Sequence, residues 1–306
     1  MEEFNRRTAL AVVGAITTTR WGKVIGQDSS IAPVDTDSGG RLTVPVIINE
    51  NGPYSFAVDT AANASVVASD IAAALALPQA DDVVMHSLVS REIVSTVQVD
   101  NLSTGALQKS STRLALGLRS ALSGTDGLLG GDLLGESRIV MRFRGGGRMA
   151  IGRSRTEEGF LFREARRTLQ FETSAEQRFG TLMMIDARAS GVLARAIVDS
   201  GALVSLINTR MAEHGRARPI TLNTGLRTQV VQSPTGLSLE ASAAILPHVR
   251  FGGIILRNLP VLVADLHTFD IWGVQDQPAM LLGIDILARF SEVVIDLRRA
   301  ELILEL

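Results

Sequence analysis

The chain's 306 residues, 46% of them hydrophobic and 20% charged, suffice for about two globular domains and exclude disorder over most of the length. Lysine and arginine (30) nearly balance aspartate and glutamate (32), for a net charge of −2, and aromatics are only 4%. No basic excess or stacking platform therefore points to nucleic acid. The absence of cysteine excludes disulfides, a thiol nucleophile and thiolate metal sites, and the histidines (His86, His214, His248, His267) include no pair at metal-ligand spacing.

The first element is a short head, Met1-Glu2-Glu3-Phe4-Asn5-Arg6-Arg7, then an apolar run from Thr8 to Ile16, then Thr17-Thr18-Thr19-Arg20. It resembles a twin-arginine export signal and implies a periplasmic or secreted protein, with a cytoplasmic one as the alternative. The apolar run is too short for a membrane span, which needs about 20 residues, so no integral span is expected. Gly26 to Gly40 is rich in Asp, Ser and Gly and reads as a linker, which makes residues 1–40 signal and linker.

From residue 41 onward the chain repeats itself. Residues 42–68 (LTVPVIINENGPYSFAVDTAANASVVA) and 182–208 (LMMIDARASGVLARAIVDSGALVSLIN) share one plan. A run of strand formers meets a turn, Asn49-Glu50-Asn51-Gly52 or Arg188-Ala189-Ser190-Gly191, where Gly supplies positive φ. The chain returns through Phe56-Ala57-Val58-Asp59 or Ala196-Ile197-Val198-Asp199. Each aspartate is followed by a hydroxyl residue, Thr60 or Ser200, then by Ala61 or Gly201, and at the sixth position by Ser65 or Ser205. Helices are expected over Ala68 to Leu77 and Asn208 to Gly215.

The copies also end alike, in Leu128-Leu129-Gly130-Gly131-Asp132 and Leu281-Leu282-Gly283-Ile284-Asp285. Strand, turn and strand follow in each: Arg138 to Phe143, Gly145-Gly146-Gly147 and Arg148 to Ile151; then Glu292 to Leu297, Arg298-Arg299 and Ala300 to Leu306. Residues 154–180 are charged and read as the connection between copies. The glycine runs lack the Lys-Ser or Lys-Thr of a phosphate loop, and there is no G-x-S-x-G elbow.

An aspartate closing an apolar strand is usually a turn residue bonding its own backbone. Two in register, 140 positions apart, mean more. Lobes related by a pseudo-twofold would bring both carboxylates to one axis, where like charges cannot both ionise and the pair shares a proton. One carboxylate can then take a proton from water while the other gives one to a carbonyl oxygen, which is the chemistry of amide hydrolysis.

On these residues the chain resembles the aspartic proteases, specifically the bacterial retropepsin-like group. The motifs are Val58-Asp59-Thr60-Ala61-Ala62 with Leu128-Leu129-Gly130, and Val198-Asp199-Ser200-Gly201-Ala202 with Leu281-Leu282-Gly283. Val249-Arg250-Phe251-Gly252-Gly253 and Leu259-Pro260-Val261-Leu262-Val263 look like the strands ahead of the second Gly loop. The resemblance implies an all-β fold of two pseudo-symmetric lobes of closed β-barrel type with short helices, the active site at their interface. The first lobe is 41–153, the connection 154–180 and the second lobe 181–306. Asp59 and Asp199 would form the catalytic pair of an endopeptidase. Thr60 and Ser200 would bond across the lobes, Ala61 and Gly201 would keep the turns small, and Gly130 and Gly283 would pass beneath the aspartate loops. Asp132 and Asp285 read as structural, bonding to backbone or a nearby Arg.

Flaps are expected in 83–97 and 220–237, with Thr224-Gly225 or Pro234-Thr235-Gly236 as hairpin tips, and Trp272 in the core or at a pocket rim. No cofactor and no metal is implied. The partner is a peptide or protein substrate, and the internal repeat makes a monomer the expected state. One position departs from the family pattern: Ala61 stands where Gly is usual, which strains the loop if φ there is positive and costs little if it is not. The alternative reading is a catalytically weak or inactive protease-like protein that binds peptide.

Overall fold

The computed structural model describes residues 29–30, 35–37, 40–144, 147–154, 170–174, 176–178 and 182–306. The arginine-pair head, most of the linker, most of the 154–180 connection and Gly145-Gly146 lie outside the described residues.

Each copy begins as a hairpin, because strand formers flank a tight turn. Leu42–Ile48 pairs with Asn51–Val58, and Leu182–Ala189 with Val192–Val198. In the second copy the turn is Ser190-Gly191, both at positive φ (49° and 89°). In the first copy the positive-φ pair is Asn49-Glu50 (45° and 66°), and Gly52 lies within the return strand rather than in the turn. Asn49 tolerates this conformation and uses its side chain, whose Oδ1 accepts from Asp100 N (2.9 Å) and Asn101 N (3.0 Å).

The return strand then pairs in parallel with the strand of the Gly loop. Phe56, Ala57 and Val58 lie opposite Gly127, Leu128 and Leu129, and Ala196, Ile197 and Val198 opposite Met280, Leu281 and Leu282. The far edge of that strand meets Val66–Ala68 or Leu206–Ile207 in antiparallel register. Each Gly-loop strand is thus threaded between the two arms of an aspartate loop. The crossing is close: a Cβ at Gly130 would fall 2.7 Å from the Ala64 carbonyl, and one at Gly283 2.8 Å from that of Val204. Side chains do not fit at either place.

Strands Gln79–His86, Arg91–Thr104 and Leu107–Gly117 complete the first sheet; Thr228–Gln232, Ser238–Phe251 and Ile254–Val263 do so in the second. Each sheet curls shut. Ile47 and Ile48 pair with Ser103 and Leu102, and Arg188 and Ala189 with Arg250 and Val249, so the first and penultimate long strands meet. The fold is all-β with two pseudo-symmetric lobes. The short helices Ser69–Ala74 and Thr209–His214 fall where the repeat predicts them, and Asn208 caps the second by accepting from Met211 N. Gly131–Leu134 and Ile284–Leu287 are further single turns of helix inside the Leu-Leu-Gly runs, and His267–Ile271 is another.

A third sheet belongs to both lobes. Ser137–Arg142 from the first copy pairs antiparallel with Glu292–Asp296 from the second, setting Ile139 opposite Ile295 and Val140 opposite Val294. Arg148–Arg153 and Glu301–Glu305 flank them. Their inner faces join one apolar cluster that runs from Val44, Phe56 and Leu129 through Ile139, Met141 and Ile295 to Val198, Phe251 and Leu282. Asp296, buried in this sheet, accepts from Ser154 Oγ (2.8 Å) and pairs with Arg138 across the lobes (3.4 Å). The two halves share a core and cannot unfold independently at this seam. Ile139→Ala, at a position with no exposed surface, should cost about 2–5 kcal/mol; urea unfolding monitored by circular dichroism measures it.

Candidate active site

Asp59 and Asp199 are the first residues beyond strands Asn51–Val58 and Val192–Val198. Their amides still belong to the threaded sheet: Asp59 N donates to Leu129 O and Asp199 N to Leu282 O, both at 3.0 Å. Beyond them the chain folds back on the carboxyl. Asp59 Oδ1 accepts from Ala61 N (3.0 Å) and Ala62 N (2.9 Å), and Asp199 Oδ1 from Gly201 N (2.8 Å) and Ala202 N (3.1 Å).

The two loops touch. A Cβ built on Gly201 would lie 2.4 Å from Asp59 Cγ, so the backbone of the second loop rests directly on the carboxyl of the first. At the matching place in the first loop, Ala61 keeps its methyl, which packs against the apolar cluster of the second lobe. The backbone at Ala61 lies outside the left-handed region, so the loop carries no strain from it.

Asp199 is buried and Asp59 half-buried. Burial pushes the carboxyl of Asp199 up to about 8, aided by the charge of Asp59 beside it and opposed by the amides of Gly201 and Ala202 and by Arg41. Burial raises Asp59 as well, against the Ala61 amide, Arg41 and the Ala62 amide.

The hydroxyls next to the aspartates cross between lobes. Ser200 N donates to Thr60 Oγ1 (3.1 Å) and Thr60 N to Ser200 Oγ (3.2 Å), while Thr60 Oγ1 donates to Val198 O (3.3 Å) and Ser200 Oγ to Val58 O (2.7 Å). Each hydroxyl is donor and acceptor at once, and all four residues are buried. A second pair of contacts sits below. Ser65 Oγ accepts from Gly130 N (3.0 Å) and donates to Asp132 (2.6 Å); Ser205 Oγ accepts from Gly283 N (2.9 Å) and donates to Asp285 (2.6 Å). The serines six positions past each aspartate therefore tie the aspartate loops to the Gly loops. Burial raises both Asp132 and Asp285; their carboxyls accept from serine and backbone N–H, and the charges of Lys109 and Arg289 oppose the rise at Asp132 and Asp285 respectively.

The hairpin tips are Ser87-Leu88-Val89-Ser90 and Ser233-Pro234-Thr235-Gly236-Leu237; Thr224-Gly225 forms a separate turn. Each tip contacts the opposite lobe. Ser87 O accepts from Thr268 Oγ1 (3.2 Å), Leu88 packs on the second lobe's cluster, and the His86 ring stacks on that of His267 with centroids 5.3 Å apart. In return Pro234 O accepts from Leu118 N (2.8 Å), and Thr235 Oγ1 donates to Glu92. Trp272 is buried in the core beside Phe269.

The sequence reading missed Arg41. It had no pattern to mark it beyond Asp37 four residues earlier, and it owes its place to long-range contacts with Gly201 and Leu122. Among the described residues no three His, Asp or Glu are grouped to hold a metal ion, and no helix is long and apolar enough to cross a membrane.

A family model described as aspartyl protease matches residues 44–133 and 185–286, once in each lobe. No curated protein matches the chain. Among solved structures, a retropepsin-like aspartic protease from Rickettsia conorii is similar at 20% identity over 45% of this chain and 92% of its own, with a TM-score of 0.31.

Two outcomes follow from the geometry. Ser200→Ala strips the Thr60 amide of its acceptor in a buried place and should cost about 1–3 kcal/mol in urea unfolding; with Thr60→Val added, the combined loss should be less than the sum. For Asp199, the folded state holds a proton that the unfolded state releases between the ordinary 3.8 and about 8. Folded-state stability therefore falls as pH rises through that window. Asp199→Asn should remove most of this slope and be more stable than the parent near neutrality, as thermal melts across pH would record.

Proposed function

Because the chain belongs to the aspartyl protease family, we propose that it is an endopeptidase in which Asp59 and Asp199 activate one water between them. The observation that carries this reading is the meeting of two buried aspartate loops from separate lobes, each carboxyl fixed by two backbone amides and both raised by burial. Asp199, the more buried of the pair, holds the shared proton, and Asp59 is the ionised member.

The chemistry follows from that division. Asp59 accepts a proton from water as its oxygen attacks the scissile carbonyl carbon, and Asp199 gives its proton to the carbonyl oxygen. Collapse of the tetrahedral diol breaks the C–N bond: Asp59 gives the proton it took from water to the leaving nitrogen, and a diol hydroxyl returns a proton to Asp199 as the new carboxyl group forms. The Oδ1 oxygens are occupied by backbone amides, which fixes the carboxyls in position and leaves the Oδ2 oxygens for this work. The hairpin tips exclude bulk water and hold a peptide in extended form by backbone pairing. Both halves of the site lie in one chain, so the working unit is a monomer. The arginine-pair head supports export, with action in the periplasm or outside the cell.

The test is cleavage of a mixed peptide library by the full chain across acid to neutral pH. Asp199→Asn and Asp59→Asn should each lose at least about a hundredfold in kcat/KM. The parent's profile should be bell-shaped, failing at low pH when both carboxyls are protonated and at high pH when both ionise. A folded parent that binds peptides and cuts none, before or after removal of the head, would replace this reading with that of a peptide-binding protein.

A further inference from the structure

Arg41 is buried. It stands at the entrance to strand Leu42–Ile48, and three partners take up its guanidinium. Nε donates to Asp37 (2.6 Å), Nη2 to Leu122 O (2.8 Å) and Nη1 across the lobes to Gly201 O (3.0 Å). Asp37 is held in turn: its side chain is 1% exposed, its other oxygen accepts from Arg41 N (2.9 Å), and its own amide donates to Arg41 O (3.0 Å).

The Gly201 carbonyl is significant because of the peptide unit it belongs to. That unit's N–H is the amide of Ala202, which donates to Asp199 Oδ1 at 3.1 Å. The guanidinium and the carboxyl thus sit at opposite ends of one peptide group. A cation on the carbonyl polarises the group and strengthens the N–H as a donor. In the second copy the residue ahead of Leu182 is Thr181 rather than arginine.

On the reading of Asp59 and Asp199 as the proteolytic pair, we propose that Arg41 is a positioning residue for Asp199. From the first lobe it fixes the Gly201–Ala202 peptide that orients this carboxyl, its charge favours the singly ionised pair, and Asp37 anchors it. The ionisable groups it faces are Asp37, Asp59 and Asp199. Its charge opposes desolvation at both members of the pair. The anchor Asp37 then lies ahead of the repeat, in the stretch that reads as linker. A chain trimmed between Asp37 and Arg41 keeps both aspartates and loses the anchor.

The experiment compares the full chain with Arg41→Met, Arg41→Lys and Asp37→Asn, each checked for folding by circular dichroism. Cleavage is followed against pH, and the titration of Asp199 by carboxyl-carbon NMR. Loss of the cation raises both carboxyls, so in Arg41→Met both limbs of the kcat/KM profile and the NMR titration should move to higher pH by roughly one pH unit. Its kcat should fall about tenfold or more with little change in KM. Arg41→Lys should return the limbs toward the parent's positions while recovering only part of kcat, because an ammonium cannot reproduce the three-way fork. Asp37→Asn should lower kcat.

A folded Arg41→Met with the parent's limbs and the parent's Asp199 titration overturns the inference; so does a lower kcat with both pH readouts unmoved, which marks a purely structural residue. If Arg41→Met does not fold, parent-like kcat in Arg41→Lys and Asp37→Asn overturns it instead. A parent that cuts nothing defeats the protease reading, and the NMR titration still decides whether Arg41 controls Asp199.

Discussion

Two carboxyls buried side by side repel when both are charged and lose water when either is, so the backbone around them must be held in one geometry to keep them together. Here that geometry comes from the hydroxyls of Thr60 and Ser200, each bonding the other loop's amide and the carbonyl ahead of the other aspartate. These contacts need loops that start at the same height in both lobes. The equivalent registers of Val58 on Leu129 and Val198 on Leu282 supply that, and the Gly130 and Gly283 crossings lock it from below. The shared six-stranded sheet holds the lobes at the matching distance.

The symmetry is incomplete at the aspartate loops. Gly201 has no side chain because Asp59 occupies the space one would take, whereas Ala61 turns its methyl into the second lobe's apolar cluster. Asp199 is the more deeply buried carboxyl, and Arg41 approaches the site from the first lobe. Each difference separates two groups that a perfect twofold would make identical. Where the surroundings of two neighbouring carboxyls differ, their readiness to hold a proton separates.

The hairpin tips are held differently from the floor of the site. A few hydrogen bonds, a stacked histidine pair and the contact of Leu88 are what tie them to the opposite lobe. The hairpins also leave large apolar side chains in solvent, Ile93 at 74% and Val230 at 57% exposure. Few buried contacts and exposed strands are the features of elements that open at low free-energy cost. The tips are therefore freer to move than the lobes, which share a core.

Much of the architecture was legible in residue order because it is local and was written twice. Alternating strand formers, a turn, an apolar strand ending on Asp and a Leu-Leu-Gly loop recur in register, and the strands do end at Val58 and Val198. Where a local signal was ambiguous the reading drifted. Gly52 looked like the turn residue although Asn49 and Glu50 take the positive φ, and single helical turns vanished inside apolar runs too short to display a period. The turn residues Pro234-Thr235-Gly236 did mark the second hairpin's tip, but Arg41, the His86 and His267 stack and the first hairpin's tip had no such signal. Their partners lie up to 181 positions away, and nothing in the spacing of residues along a chain says which surfaces two closed sheets will present to one another. Strand period and turn chemistry are properties of neighbouring residues and survive in the order of letters; the burial of a charge and its distance from another charge arise only when separate sheets pack.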